Sequence, residues 1–137
     1  MSSGNSGKSL SETLVKDIMT KAIISVDSST TVFQVAKMME QGGIGAILVK
    51  KNGTTSGIIT DRDYAIKIAV DKLSMDTYVE KVASFPLVTV SQNDSIIAAA
   101  SLMSSKKIRK LAVVEDGNVI GIITSTDLVT QLAKNSS

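Results

Sequence analysis

Gly57-Ile58-Ile59-Thr60-Asp61-Arg62-Asp63 returns 64 positions later as Gly121-Ile122-Ile123-Thr124-Ser125-Thr126-Asp127. Both heptads open on a Gly, run through two Ile residues to a Thr, and carry an Asp three positions beyond it. Outward from the heptads the match continues without a gap, Val15–Ile68 against Val79–Leu132. Identities include Val15/Val79, Val26/Val90, Met39/Met103, Ile44/Ile108, Val49/Val113 and Gly53/Gly117. Substituted pairs such as Ile24/Val88, Ser25/Thr89 and Val32/Ile96 keep their character. Agreement of that length marks an internal duplication, which decides the architecture before any local reading does.

Each copy reads as βαββα. In the first, Ile23–Val26 is a short β-branched strand and the Ser/Thr cluster Ser28–Thr31 starts a helix. Val32, Val35, Ala36 and Met39 recur at helical spacing, with Phe33 and Met38 widening the apolar face, and Gly42-Gly43 ends the helix. Ala46–Val49 and Gly57–Thr60 are strands joined by the hairpin signal Asn52-Gly53, and a last helix runs from Asp61 to about Val70. The second copy repeats the order: strand Leu87–Val90, helix from about Asp94 to Lys106, strand Leu111–Val114, turn Asp116-Gly117, strand Val119–Ile123, helix from about Ser125 to Ala133. The lone proline, Pro86, stands just before a strand, where a missing amide donor costs least. The predicted organisation is a flexible tail over 1–13, repeat one over 14–70, a linker over 71–77, repeat two over 78–133 and a tail over 134–137. Units of about 60 residues bury little surface alone, so the two are expected to support each other.

Composition narrows the function. Apolar residues make up 43% of the chain and mean hydropathy is +0.21, yet no run approaches the roughly 20 apolar residues that cross a bilayer. The excess is assigned to buried surface, including a dimer interface. No cysteine and no histidine are present. Disulfides, thiolate chemistry and the commonest general base and metal ligand are therefore excluded, and a cytoplasmic setting is expected. No signal peptide pattern opens the chain. A net charge of +2 and 3% aromatics argue against nucleic acid as the main partner, although a pI near 8.9 keeps it as a remote alternative.

Thr-x-x-Asp before a helix is a capping box, in which the hydroxyl and the carboxylate satisfy orphan backbone amides. The same geometry offers a helix N-terminus to a phosphate and polar side chains to ribose hydroxyls. The residues alone leave both uses open.

The doubled strand, helix, hairpin and GIxTxxD pattern resembles the CBS domain, named after cystathionine β-synthase, present as a tandem pair. The resemblance covers about Leu14 to Leu132. VKDIMT at Val15–Thr20 and GIITDRD at Gly57–Asp63 are close to stand-alone archaeal and bacterial pairs. It implies an α+β fold of two βαββα repeats about a pseudo-twofold axis, with two clefts that take AMP, ADP, ATP, S-adenosylmethionine or related adenosyl compounds. Asp63 and Thr60, and Asp127 and Thr124, would meet ribose and phosphate. Thr20, Ile23, Ile24, Gly45 and Ala46 in copy one, and Ser84, Leu87, Val88, Arg109 and Lys110 in copy two, would form the adenine pockets.

The copies depart from the family, and from each other. Ala83-Ser84 stands where a Met-Thr ending is usual. Arg109-Lys110 stands where many relatives carry Arg-His, against Gly45-Ala46 in copy one. Arg62 beside Asp63 faces Thr126 beside Asp127. Two unequal clefts are expected, with the preferred one undecided.

Other features have plainer readings. GNSGKS at Gly4–Ser9 lacks the first P-loop Gly, since Ser2 stands there, and has no strand before it. The cluster Lys106, Lys107, Arg109 and Lys110 fits a helix C-terminus or phosphate attraction. Asp61 and Asp63 differ by two positions and point to different helix faces, so no dedicated metal site and no catalytic role is expected. Met38, Met39 and Met103 read as core fillers. Asn52-Gly53-Thr54 and Asn93-Asp94-Ser95 read as a turn and a helix start rather than glycosylation sites. The expected function is a non-enzymatic sensing module with an adenosyl ligand and no obligatory cofactor, magnesium entering only with a nucleotide. It is expected to form a homodimer and to act on an unknown effector protein in trans, without a membrane. The alternative is a ligand-free dimerisation or docking protein.

Overall fold

The computed structural model describes residues 9–135. It is a mixed α+β structure with two three-stranded sheets. Two compact units are formed: Ile23–Leu87 makes one, and the segment up to Ala22 joins the chain from Val88 onward in the other.

In the Ile23–Leu87 unit, β1 (Ser25–Asp27) lies parallel to β2 (Ala46–Lys51), with α2 (Val32–Gly42) as the crossover. Strand β3 (Thr54–Thr60) returns antiparallel to β2. Helix α2 begins in a reciprocal box: Gln34 N–H donates to Thr31 Oγ1 at 3.2 Å, and Thr31 N–H to Gln34 Oε1 at 2.9 Å. It ends on Gly43 at φ 62°, a left-handed cap that suits glycine. Asn52 and Gly53 hold φ of 53° and 78°, as a two-residue hairpin of type I′ demands. After β3 comes α3 (Asp61–Asp63), which continues as π-helical turns over Tyr64–Val70. The predicted helix is thus present with a wider register, closed by Asp71 N–H on the Ile66 carbonyl at 3.1 Å.

The other unit follows the same plan through β4 (Thr89–Ser91), α4 (Ile96–Lys106), β5 (Lys110–Glu115), β6 (Asn118–Thr124) and α5 (Ser125–Asn135). Helix α4 is capped by Ser95 and ends on Lys107 at φ 56°, where the first copy has glycine. No helix among the described residues is long and apolar enough to cross a membrane.

The leading segment of each repeat is built into the unit that carries the other repeat's sheet. Thr13–Thr20, including the short α1 (Val15–Ile18), is bonded within the β4–β6 unit. Ile96 N–H donates to the Thr13 carbonyl at 3.0 Å, Val15 N–H to Asp94 at 2.8 Å, and Lys16 N–H to Gln92 at 3.0 Å. Thr77–Ser84 repeats these bonds in the β1–β3 unit: Val32 to Thr77 at 2.8 Å, Val79 to Thr30 at 2.8 Å, and Glu80 to Ser28 at 3.2 Å. Valines follow the same exchange. Val15 joins Val90, Ile96, Ala99, Met103, Leu111, Val113 and Ile123 in one core. Val79 and Val82 join Val32, Val35, Ile47, Val49 and Ile59 in the other.

The described part of the predicted tail, residues 9–13, is folded rather than loose. The Thr13 hydroxyl donates to the Ser9 carbonyl at 3.0 Å, Thr13 is 6% exposed, and Leu10 packs on the core. Apart from Ser9, the Gly4–Ser9 run lies outside the described residues.

Because Val15 is fully buried, Val15→Ala is expected to cost about 2 kcal/mol of unfolding free energy. Amide hydrogen exchange locates the loss: protection falls in β4–β6 before it falls in β1–β3. Equal loss in both sheets would contradict the assignment of Val15 to one core.

Candidate functional site

Each heptad spans a last strand, a cap and the start of a last helix. Its glycine is required by a close approach. A methyl group at Gly121 would stand 2.8 Å from the Thr20 carbonyl oxygen and 2.9 Å from Met19 Sδ. At Gly57 it would collide with the Phe85 ring. The leading segments thus cross the strands where no side chain stands.

The Thr and Asp close reciprocal caps in both units. Thr60 N–H donates to Asp63 Oδ2 at 2.8 Å, Thr60 Oγ1–H to the same oxygen at 3.2 Å, and Asp63 N–H approaches Thr60 Oγ1 at 3.4 Å. Thr124 N–H donates to Asp127 Oδ2 at 2.8 Å, and Asp127 N–H to Thr124 Oγ1 at 3.2 Å. The capping reading of Thr-x-x-Asp is therefore realised, and it engages only one carboxylate oxygen of each Asp.

Around this shared frame the chemistry differs. Lys67 Nζ stands 3.8 Å from Asp63 Oδ1 and donates to the Val82 carbonyl at 2.6 Å. The equivalent of Lys67 is Gln131, which donates to Asn135 Oδ1, and among the described residues no cation pairs with Asp127. Asp61 N–H donates to the Gly45 carbonyl at 3.1 Å, and Ser125 N–H to the Arg109 carbonyl at 2.8 Å. Positions 45 and 109 thus sit alike against their helices with opposite consequences. A methyl group at Gly45 would stand 3.2 Å from Asp61 Oδ2, whereas at the matching place the Arg109 side chain begins. Lys110, paired with Thr124 in the β5–β6 ladder, corresponds to Ala46, paired with Thr60.

The structure distributes the predicted residues by unit rather than by copy. Ile23, Ile24, Gly45, Ala46, Thr60, Arg62 and Asp63 share their unit with Ser84 and Leu87, which the sequence reading had grouped with copy two. Ser84 exchanges backbone bonds with Ile58 at 2.8 and 3.1 Å, and Leu87 N–H donates to Ser56 at 3.2 Å. Val88, Arg109, Lys110, Thr124, Thr126 and Asp127 share theirs with Thr20, which exchanges bonds with Ile122 at 2.8 and 2.9 Å. The exchanged grouping follows from the leading segments described above. Thr20, Ile24, Arg62, Ser84, Arg109 and Thr126 are exposed, and the remaining predicted residues are partly buried.

Sequence reading missed Lys67 and Tyr64. Lys67 was findable, since a cation four residues after Asp63 lies on the same helix face. Tyr64 Oη–H donates to the Val32 carbonyl at 2.6 Å. Burial, and secondarily the Asp63 carboxylate, pushes its hydroxyl up to about 12. No spacing rule reveals that bond.

The comparisons follow from this frame: a duplicated sheet module with a capped Thr-x-x-Asp turn after the last strand. The CBS domain profile matches residues 15–69 and 79–134, and the chain belongs to the CBS domain family. It is 35% identical over 123 residues to the CBS domain-containing protein YhcV of Bacillus subtilis, covering 90% of this chain and 88% of that protein. An uncharacterized conserved protein from Pyrococcus horikoshii superposes with a TM-score of 0.84 at 26% identity, over 89% of this chain and 93% of that one. The CBS domain pair of protein MJ0100, solved in complex with 5′-methylthioadenosine and S-adenosyl-L-methionine, gives 0.80 at 28% identity, over 90% and 98%.

The Tyr64 environment makes a prediction. A hydroxyl whose folded pKa exceeds its unfolded value of about 10 stabilises the fold below pH 10, and that contribution is lost as pH rises toward 12. Urea unfolding at pH 9 and pH 11 is expected to show a smaller fall for Tyr64→Phe than for the wild type. An identical fall in both proteins would contradict this assignment.

Proposed function

We propose that the chain is a regulatory, non-enzymatic module that senses an adenosyl compound at its two strand-to-helix junctions. The observation that carries this reading is the half-used carboxylate: Asp127 Oδ2 takes the Thr124 amide at 2.8 Å, while Asp127 makes no ion pair among the described residues. A carboxylate held rigid by its own cap, with acceptor capacity left over, suits the paired hydroxyls of a ribose. Asp63 is held in the same way. The fold likeness to a pair solved with S-adenosyl-L-methionine and 5′-methylthioadenosine supports the ligand class. The site residues proposed are Thr60, Asp63, Gly45, Ala46, Ser84 and Leu87 at one junction, and Thr20, Val88, Arg109, Lys110, Thr124 and Asp127 at the other. Ile23, Ile24, Arg62 and Thr126 stand beside them.

Binding shifts a conformational equilibrium only through the ligand's differential affinity for two states. The output is proposed to reach a separate effector protein, with the chain acting as a homodimer in the cytoplasm. No cofactor is required, and magnesium would enter only with a bound nucleotide.

The second reading, a docking protein whose Thr and Asp residues are caps alone, draws on the completeness of both capping boxes. The two readings separate by experiment. Titration calorimetry with AMP, ADP, ATP, S-adenosylmethionine and 5′-methylthioadenosine is expected to show binding by at least one of them. Asp63→Ala combined with Asp127→Ala is expected to abolish it. Each single change also costs about 1 kcal/mol of stability, as the loss of a cap does. The docking reading predicts that stability cost alone, with no ligand-induced rise in melting temperature for the wild type.

A further inference from the structure

The same place in the two units carries opposite charge. At position 45 the backbone is bare and the Asp61 carboxylate fills the space, with Oδ2 3.2 Å from where a methyl group would stand. At position 109 that space belongs to the arginine stem, and Ser125 replaces the carboxylate. Both positions are fixed by the same backbone bond, from residue 61 to 45 at 3.1 Å and from 125 to 109 at 2.8 Å. The inversion is therefore one of side-chain chemistry on a shared backbone.

Three further differences run in the same direction. Lys110 lies opposite Thr124 in the ladder, whereas Ala46 lies opposite Thr60. Asp63 has Lys67 at 3.8 Å, so that cation is already occupied by a carboxylate and by the Val82 carbonyl. The β4–β6 junction instead adds two cations, Arg109 and Lys110, to a single carboxylate, Asp127.

We infer that the two junctions take different classes of adenosyl ligand: a 5′-phosphorylated one at Thr124–Asp127 and a phosphate-free one at Thr60–Asp63. This inference rests on the adenosyl-binding reading above and assigns the ligand class within it. A 5′-phosphate brings up to two negative charges. Guanidinium and ammonium groups hold it by charge-assisted hydrogen bonds, while the Asp61 carboxylate repels it. S-adenosylmethionine carries a sulfonium cation at the 5′ position, where a nucleotide carries its phosphate. A carboxylate at position 61 attracts that cation.

The test uses the full chain and calorimetric titration with AMP and with S-adenosylmethionine, for the wild type, Arg109→Gly and Asp61→Ser. Both substitutions install the residue found at the matching position of the other copy, and circular dichroism checks that each variant folds. Arg109→Gly is expected to weaken AMP about tenfold while S-adenosylmethionine keeps its affinity. Asp61→Ser is expected to weaken S-adenosylmethionine and to raise the AMP stoichiometry from one to two per chain. If AMP affinity is unmoved by Arg109→Gly, or if Asp61→Ser leaves both ligands unchanged, the assignment of ligand class is overturned while adenosyl binding stands. If the wild type binds neither AMP, S-adenosylmethionine nor 5′-methylthioadenosine, the adenosyl reading and this inference fall together.

Discussion

The outer edge of each sheet is closed by a pair of backbone hydrogen bonds that bring in a distant segment. Thr20 and Ile122 exchange bonds at 2.8 and 2.9 Å, and Ser84 and Ile58 at 2.8 and 3.1 Å. An exposed edge strand is an invitation to wrong pairing, and here the partner comes from the leading segment of the other repeat. The close crossing demands glycine at 121 and 57, because the Thr20 carbonyl, Met19 and Phe85 occupy the space that a side chain would need. It also buries Val15 in one core and Val79 and Val82 in the other. The heptad that opens on that glycine is therefore both a packing device and the frame of the candidate site.

Much of this is legible from the residues, since it depends on local rules repeated twice. The hairpin turns at Asn52-Gly53 and Asp116-Gly117 both adopt the paired positive φ values that their residues favour. Thr31 and Ser95 cap their helices as their side chains allow. The heptads end their strands on the threonines. What stayed hidden is long-range. A gap-free alignment of Val15 with Val79 shows that the two residues are equivalent, but not that each is built into the unit carrying the other's sheet. For the same reason Thr20, Ser84 and Leu87 were grouped by copy when the structure groups them by unit. The tether from Tyr64 to Val32, across 32 positions, has no sequence signature either.

Duplication preserved the backbone and released the side chains. The caps are near-superimposable in their bonds, with Thr N–H to Asp Oδ2 at 2.8 Å in both. Positions 45, 46, 61, 62 and 67 have nevertheless diverged from 109, 110, 125, 126 and 131. Stability constrains the Thr-x-x-Asp pair, since losing a cap costs about 1 kcal/mol. Exposed Arg109, Arg62 and Thr126 are under no such constraint. Divergence at such positions alters the ligand a site selects without unfolding the scaffold that presents it.

The central claim is that the capped junctions bind an adenosyl ligand as well as terminating strands. Amide chemical-shift mapping tests it most directly, because each heptad places its own reporters at the site. On saturation with AMP or S-adenosylmethionine, the amides of Thr60–Asp63 or of Thr124–Asp127 are expected to shift by more than those of the remote hairpin residues Gly53 and Gly117. A titration in which neither heptad responds to either compound would contradict the account.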